Sequence, residues 1–375
     1  MKLVPFLIVA VLAICLNVQA QSPEKPEAID WDKARSLYQR EQNGDKLSAD
    51  ERTYLDRAKK QRQQMQRANP AATQRATTQP ARESTGMIPL TQLKGDQTYK
   101  GVDGGLYGHG LNDPPTKLLQ AALEAAGKIE PLGADGKSSR EGKVVLMSIG
   151  MSNTTMEFSR FKLLADREPT KSSRLLIVDT AQGGQDARKW DTATDPSPWS
   201  IADARLKSAG ASPQQVQIIW LKQAIAGAGN SGEFPKHSDE LKQRIELSLK
   251  LATARYPNLK LVYLSSRIYA GYAATALNPE PYAYEGAFAM RGVIVDRMTG
   301  DLKSPIVLWG PYLWADGIKG RAADALVWKR EDFAADGTHP GDSGRQKVAE
   351  LLLGFFKSDQ TARTWFVDKP QKGIE

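Results

Sequence analysis

The sequence predicts an α/β protein: a three-layer α/β/α sandwich built on a five-stranded parallel sheet and preceded by a small helical hairpin. Three observations carry this. Residues 143–149, 174–180, 215–221, 259–265 and 304–309 form five nearly continuous apolar runs of strand length, as expected of strands buried on both faces. Segments of helical periodicity lie between or after them. Strands alternating with helices imply right-handed crossovers, which cover both faces of a parallel sheet.

Taken in order, the chain opens with Lys2, an apolar run over 3–16, and then Val18-Gln19-Ala20. A basic start, a short apolar stretch and small residues at a cleavage point read as a secretory signal, residues 1–20, cut after Ala20. The run is short for a spanning helix. The mature chain is therefore expected to be secreted or periplasmic, with no transmembrane segment. Residues 21–66 read as the hairpin. Trp31, Ala34, Leu37 and Tyr38 keep helical spacing, Asn43-Gly44 breaks it, and Ser48 with Glu51 forms a capping box for a second helix. Residues 67–86, rich in Ala, Thr, Gln, Pro and Arg, read as a disordered linker. The main domain is expected over 87–360 and a tail over 361–375.

Within the main domain, helices are expected at 115–127, at 238–255 (Leu241, Ile245, Leu249 and Ala252 on one face) and at 284–298. A last helix opens with a second capping box, Ser343 to Gln346, and continues through Val348, Leu351, Leu352 and Phe355.

The whole chain carries a formal charge of +8. Seven basic residues between Arg57 and Arg82, with no Asp or Glu among them, match the +7 that remains once Lys2 leaves with the signal. The rest of the protein is balanced, which argues against nucleic acid as a partner; loose attraction to anionic polysaccharide through 57–82 stays open. Cys15 is the sole cysteine and leaves with the signal, so disulfides, a thiol nucleophile and cysteine-ligated metal are excluded. His109, His237 and His339 lie far apart, which removes helical zinc motifs. No metal or cofactor is expected, and His109 and His237 are read as surface or loop residues.

In an open parallel sheet, ligands sit beyond the carboxyl ends of the strands. The first strand runs into Ser148-Ile149-Gly150-Met151-Ser152-Asn153, where Gly150 permits a sharp turn and Ser152 stands just past the strand. A serine hydroxyl needs a nearby base and oxyanion donors to act as a nucleophile. The second strand leads to Gln182-Gly183-Gly184-Gln185, where paired glycines can bring a backbone N–H close to a substrate oxygen. Asp336-Gly337-Thr338-His339-Pro340 precedes the last helix. A carboxylate three residues before an imidazole can orient it.

The blocks Gly150-Met151-Ser152-Asn153 and Asp336-Gly337-Thr338-His339-Pro340 resemble the first and last blocks of the SGNH (GDSL-type) hydrolases, whose fold is flavodoxin-like. The Gly-x-Ser-Asn form is most similar to the sialate O-acetylesterase-like branch, whose members deacetylate carbohydrates. The resemblance spans roughly residues 143–357. It implies Ser152 as nucleophile, His339 as general base then acid, and Asp336 as its orienter. Ser152 and Gly184, or alternatively Gly183, would supply oxyanion N–H groups. The family's third block, Gly-x-Asn-Asp, is absent; Gln223 stands one position beyond the glutamine of the acetylesterase-like branch and would serve instead. Asn153, Arg267 and Tyr269 are assigned to substrate binding. Aromatic loops at 278–285 and 309–314 suit either sugar rings or packing over the core.

These readings converge on a secreted serine esterase acting on acetyl or other small acyl esters, with acylated carbohydrate as the expected substrate. Its activity should rise as the histidine loses its proton, at about pH 6.5 for an unperturbed imidazole. The alternative is a catalytically inactive protein of the same fold that binds carbohydrate or associates with the envelope.

Overall fold

A computed structural model of the chain describes residues 29–30, 34, 37–38, 41, 46–68, 81–194, 197–300 and 302–368. The signal assignment (1–20), most of the 67–86 linker and the last seven residues of the tail lie outside the described residues. The chain forms two compact units that divide after Thr73.

In the first unit, α1 spans Ala49–Ala68. Its start is the capping box read from the sequence: the Glu51 N–H donates to Ser48 Oγ at 3.2 Å, and the Ser48 N–H donates to the Glu51 carboxylate at 2.9 Å. Leu55 and Ala58 are buried, in small clusters with Leu37 and Leu47 and with Ile29 and Ala34 respectively.

The second unit contains the parallel sheet. Its strands are β1 (Val144–Gly150), β2 (Leu175–Val178), β3 (Val216–Lys222), β4 (Leu261–Leu264) and β5 (Ile306–Trp309). They are ordered β2-β1-β3-β4-β5, every pairing parallel. Each lies within, or within one residue of, one of the five apolar runs, and every residue of β1 and β3 is buried. The helices are α2 (Thr116–Gly127), α3 (Ser152–Ala165), α4 (Ala187–Trp190), α5 (Pro198–Ser208), α6 (Lys236–Arg255), α7 (Tyr282–Met298), α8 (Asp342–Ser358) and α9 (Arg363–Phe366). They cover both sides of the sheet, with α3 packed along α8 and α6 packed along α7.

Aromatic packing fixes where α3 sits. Phe158 stacks on Trp220 of β3, ring centroids 5.4 Å apart, and Phe161 meets Phe356 of α8 at 5.3 Å. All four rings are wholly buried. The two helices that frame the catalytic candidates are thereby tied to each other and to the central strand.

Several expectations are corrected here. The box at Ser343 does not form, because α8 already begins at Asp342. Ser343 Oγ donates instead to the Glu331 carbonyl, and the Gln346 amide to Glu350. Residues 82–86, drawn into the linker, are fastened to the main domain. Arg82 N–H donates to the Gly271 carbonyl, and buried Asp316 accepts from Ser84 Oγ, Thr85 N–H and Oγ1, and Gly86 N–H. The tail likewise carries α9, with Trp365 and Phe366 buried. The aromatic loops serve packing: Tyr284, Trp309, Tyr312 and Trp314 are all buried. His237 is buried in the first turn of α6, whereas His109 is exposed as expected. Among the described residues, no helix is long and apolar enough to cross a membrane.

Candidate active site

The strand order decides where a site can form. With β1 between β2 and β3, the strand order reverses at β1 and β3, and in an open parallel sheet ligands bind beyond the carboxyl ends of the strands at such a point. Gly150 closes β1. A Cβ there would fall 2.2 Å from Thr154 Oγ1 and 2.5 Å from the Lys222 carbonyl oxygen, so only glycine lets α3 start this close to β3. Ser152 is the first residue of α3 and is half-buried.

His339 reaches the same place from the other end of the chain, three residues before α8. Its Nε2 lies 2.7 Å from Ser152 Oγ, and its Nδ1 lies 2.5 Å from Asp336 Oδ2. The turn between the two is tight. Gly337 has φ +63, and a Cβ there would sit 1.8 Å from the Tyr272 carbonyl oxygen. Asp336 Oδ1 accepts the backbone N–H groups of Thr338 and His339, each at 3.0 Å. Partial burial opposes ionisation of Asp336, but the imidazole and these two N–H groups outweigh it and hold the carboxyl well below the usual range. An ionised carboxylate can only accept, so the imidazole proton belongs on Nδ1 and Nε2 is left to accept the Ser152 hydroxyl proton. The His339 side chain keeps 19% of its surface exposed, so the site is open to a ligand.

The oxyanion candidates lie in the loops that follow β2 and β3. Gly184 lies in the loop after β2, exposed, with φ +77 and open space where a Cβ would stand. Gln223 follows β3 and is buried, its amide donating to the Gln185 carbonyl at 3.4 Å. The two loops are stitched to the strand ends by Gln182 N–H to the Gly150 carbonyl and Ala187 N–H to the Ala224 carbonyl, both 3.0 Å. Gly183 is exposed beside Gly184.

The three residues assigned to substrate binding are corrected. Asn153 is buried, and its Nδ2 donates to the Thr338 carbonyl at 2.9 Å. Arg267 is 2% exposed; burial pushes its guanidinium below its ordinary value, and the carboxylates of Glu157, Glu280 and Asp336 act against that. Tyr269 is buried, and its hydroxyl donates to the Arg82 carbonyl at 2.7 Å. All three stand near strand ends, but their side chains turn inward.

Sequence reasoning missed the charged layer beneath the site. Lys222, the last residue of β3, pairs with Glu157 of α3. Burial pushes Glu157 up and Lys222 down to about 8. Asp179 accepts from Ser148 Oγ at 2.6 Å, Ser159 Oγ at 2.8 Å and Thr155 Oγ1, pinning the end of β2 to β1 and α3. Glu280 accepts from Ala270 N–H, Tyr284 N–H and Trp314 Nε1–H, and burial pushes it up to about 7. These positions carry no local motif. Their only sequence signal is a charge inside an apolar run, as at Asp179, or directly after one, as at Lys222. Among the described residues, no cluster of three or more histidines, cysteines or acids could hold a metal ion.

No protein-family model matches the chain, and no curated protein matches it. The matched solved structures include a GDSL-like lipase from Bacteroides thetaiotaomicron, 12% identical, covering 63% of this chain and 95% of that one with a TM-score of 0.33. A two-domain esterase active on acetylated mannans is 12% identical over 68% of this chain and 55% of its own, TM-score 0.32. A carbohydrate esterase described as having divergent catalytic and non-catalytic binding functions is 13% identical over 58% and 66%, TM-score 0.35. The chain is similar to GDSL-like hydrolases and carbohydrate esterases. At these identities and scores the likeness assigns no activity.

Proposed function

We propose that this chain is an exported serine esterase of the SGNH type that removes acetyl or other small acyl groups, with acylated carbohydrate as its substrate. The observation that carries the proposal is the continuous Ser152–His339–Asp336 relay, with contacts of 2.7 and 2.5 Å, beyond the carboxyl end of β1, where the strand order of the parallel sheet reverses.

In this reading Ser152 Oγ attacks the ester carbonyl carbon while His339 Nε2 takes the hydroxyl proton. Asp336 stays ionised and steadies the imidazolium. The carbonyl oxygen becomes an oxyanion held by the Ser152 and Gly184 N–H groups and the Gln223 amide, whose long bond to Gln185 is readily exchanged. Collapse breaks the bond to the alcohol oxygen, which leaves with the proton from His339, and Ser152 keeps the acyl group. Water, deprotonated by the same nitrogen, then attacks the acyl carbon; the bond to Ser152 Oγ breaks, His339 returns the proton to that oxygen, and the carboxylic acid leaves. The carbohydrate assignment rests on the Gly-x-Ser-Asn form of the first block. The basic stretch from Arg57 to Arg82 would add loose attraction to anionic polysaccharide.

A fluorophosphonate probe tests the proposal. Stoichiometric adduct on Ser152 by mass spectrometry, lost in His339→Ala, is the expected result. An unlabelled Ser152 in folded protein would overturn it. Turnover of acetylated polysaccharide against long-chain esters then fixes the substrate class.

A further inference from the structure

The turn bearing Asp336 and His339 is closed on itself. Gly337 N–H donates to the Ala334 carbonyl at 2.9 Å, Ala334 N–H to the His339 carbonyl at 2.8 Å, and Gly341 N–H to the Asp332 carbonyl at 2.7 Å. The contact between Asp336 and His339 is internal to this unit. The contact between His339 and Ser152 is not: its length depends on how the unit is seated against the first turn of α3.

One seat is Ala274 N–H donating to the Asp336 carbonyl at 2.8 Å. The other is a buried clasp on the Thr338 carbonyl, which accepts from Asn153 Nδ2 at 2.9 Å and lies 3.5 Å from Arg267 Nη2. Asn153 follows Ser152, and Thr338 precedes His339. The clasp therefore runs beside the reacting pair, one residue removed on each side. Its members are enclosed, with Asn153 1%, Thr338 0% and Arg267 2% exposed. Asn153 Oδ1 and Arg267 Nε and Nη1 are buried without a hydrogen-bond partner. Unpaired buried polar atoms are costly, and a chain under selection for stability alone would place apolar side chains here. An aspartate would set a carboxylate against the carbonyl, and leucine cannot donate; the site calls for a short donor.

We propose that Asn153 is a positioning residue. By holding the Thr338 carbonyl, it fixes the distance over which the Ser152 proton passes to His339, with Arg267 as a second donor to the same oxygen. The inference rests on the serine-esterase reading above. Misplacing a reacting group by about an ångström costs on the order of 10²-fold in rate.

The test compares wild type with Asn153→Ala, Asn153→Ser and, as a control, Thr154→Val. Thr154 makes a buried hydrogen bond of similar length in the same turn, but to the Lys222 carbonyl rather than to the histidine turn. For a small acetyl ester, Asn153→Ala should lower kcat by on the order of 10²-fold with KM within about twofold, its pH midpoint unmoved. Proton NMR should retain the low-field Nδ1–H signal of the pair with Asp336, since that contact belongs to the closed turn. Thr154→Val should lose thermal stability but keep kcat. Should Asn153→Ala fail to fold, Asn153→Ser should show the same selective fall in kcat to a smaller degree. Wild-type kcat in whichever Asn153 variant folds would overturn the inference, as would a fall matched by Thr154→Val. An inactive wild type, unchanged by Ser152→Ala, would instead overturn the esterase reading; the positioning claim then stands or falls on whether His339 Nε2 changes its NMR environment in the Asn153 variant.

Discussion

Lys222 and Glu157 form an ion pair in which neither side chain is more than 1% exposed, one contributed by the end of β3 and the other by α3. The pair joins the central strand to the helix whose first residue is Ser152. Its attraction offsets the cost of removing two charges from water only while both partners are present. Lys222→Met or Glu157→Leu alone should therefore lower unfolding free energy by roughly 3–5 kcal/mol. The double replacement should recover much of that loss. Urea unfolding of the four proteins measures it, and losses that simply add would contradict the pairing.

Glu280 predicts a pH dependence of stability. Burial raises its carboxyl from 4.5 to about 7, against three N–H donors. Folded protein then holds a proton that unfolded protein has lost above about 4.5. The Glu280 contribution is complete below that pH and is lost as pH rises through about 7. Relative to Glu280→Gln, wild type should lose on the order of 3 kcal/mol between pH 5 and pH 8. Chemical unfolding at both pH values checks this; a constant difference would contradict it.

Gly337 is the position where backbone shape matters most to the relay. Gly337→Ala adds a Cβ overlapping the Tyr272 carbonyl, on a backbone that disfavours side chains. Activity should fall far more than thermal stability, because the turn must lift away from Tyr272 and carry His339 with it. Equal kcat in a soluble Gly337→Ala protein would show that the turn tolerates displacement.

Asp336→Asn should leave the fold intact and lower kcat by roughly 10⁴-fold, because the amide can stabilise the wrong imidazole tautomer and no longer balances the imidazolium. Steady-state kinetics alongside a thermal melt separates this from unfolding. A loss below tenfold would assign Asp336 a purely structural role.

The fold was legible because parallel strands buried on both faces announce themselves as nearly continuous apolar runs, and all five did. Boundaries were less so: the box at Ser48 closed, whereas Ser343 lies inside a helix already begun by Asp342. The Ser152 and His339 blocks stood out through local spacing. Position at a strand end located Asn153, Arg267 and Tyr269 near the site, but spacing does not say whether a side chain turns toward the crevice or the core, and all three turn inward. Glu157 and Lys222 are separated by 65 positions and meet only through the packing of α3 on β3. No local pattern encodes that meeting.

The central claim is that the Ser152 hydroxyl is the acyl acceptor. Hydrolysis of a small acetyl ester by wild type and by Ser152→Ala, at matched folded concentration and near neutral pH, tests it most directly. Turnover by the wild type that drops by at least three orders of magnitude in the variant is expected. Equal rates in the two proteins would contradict it.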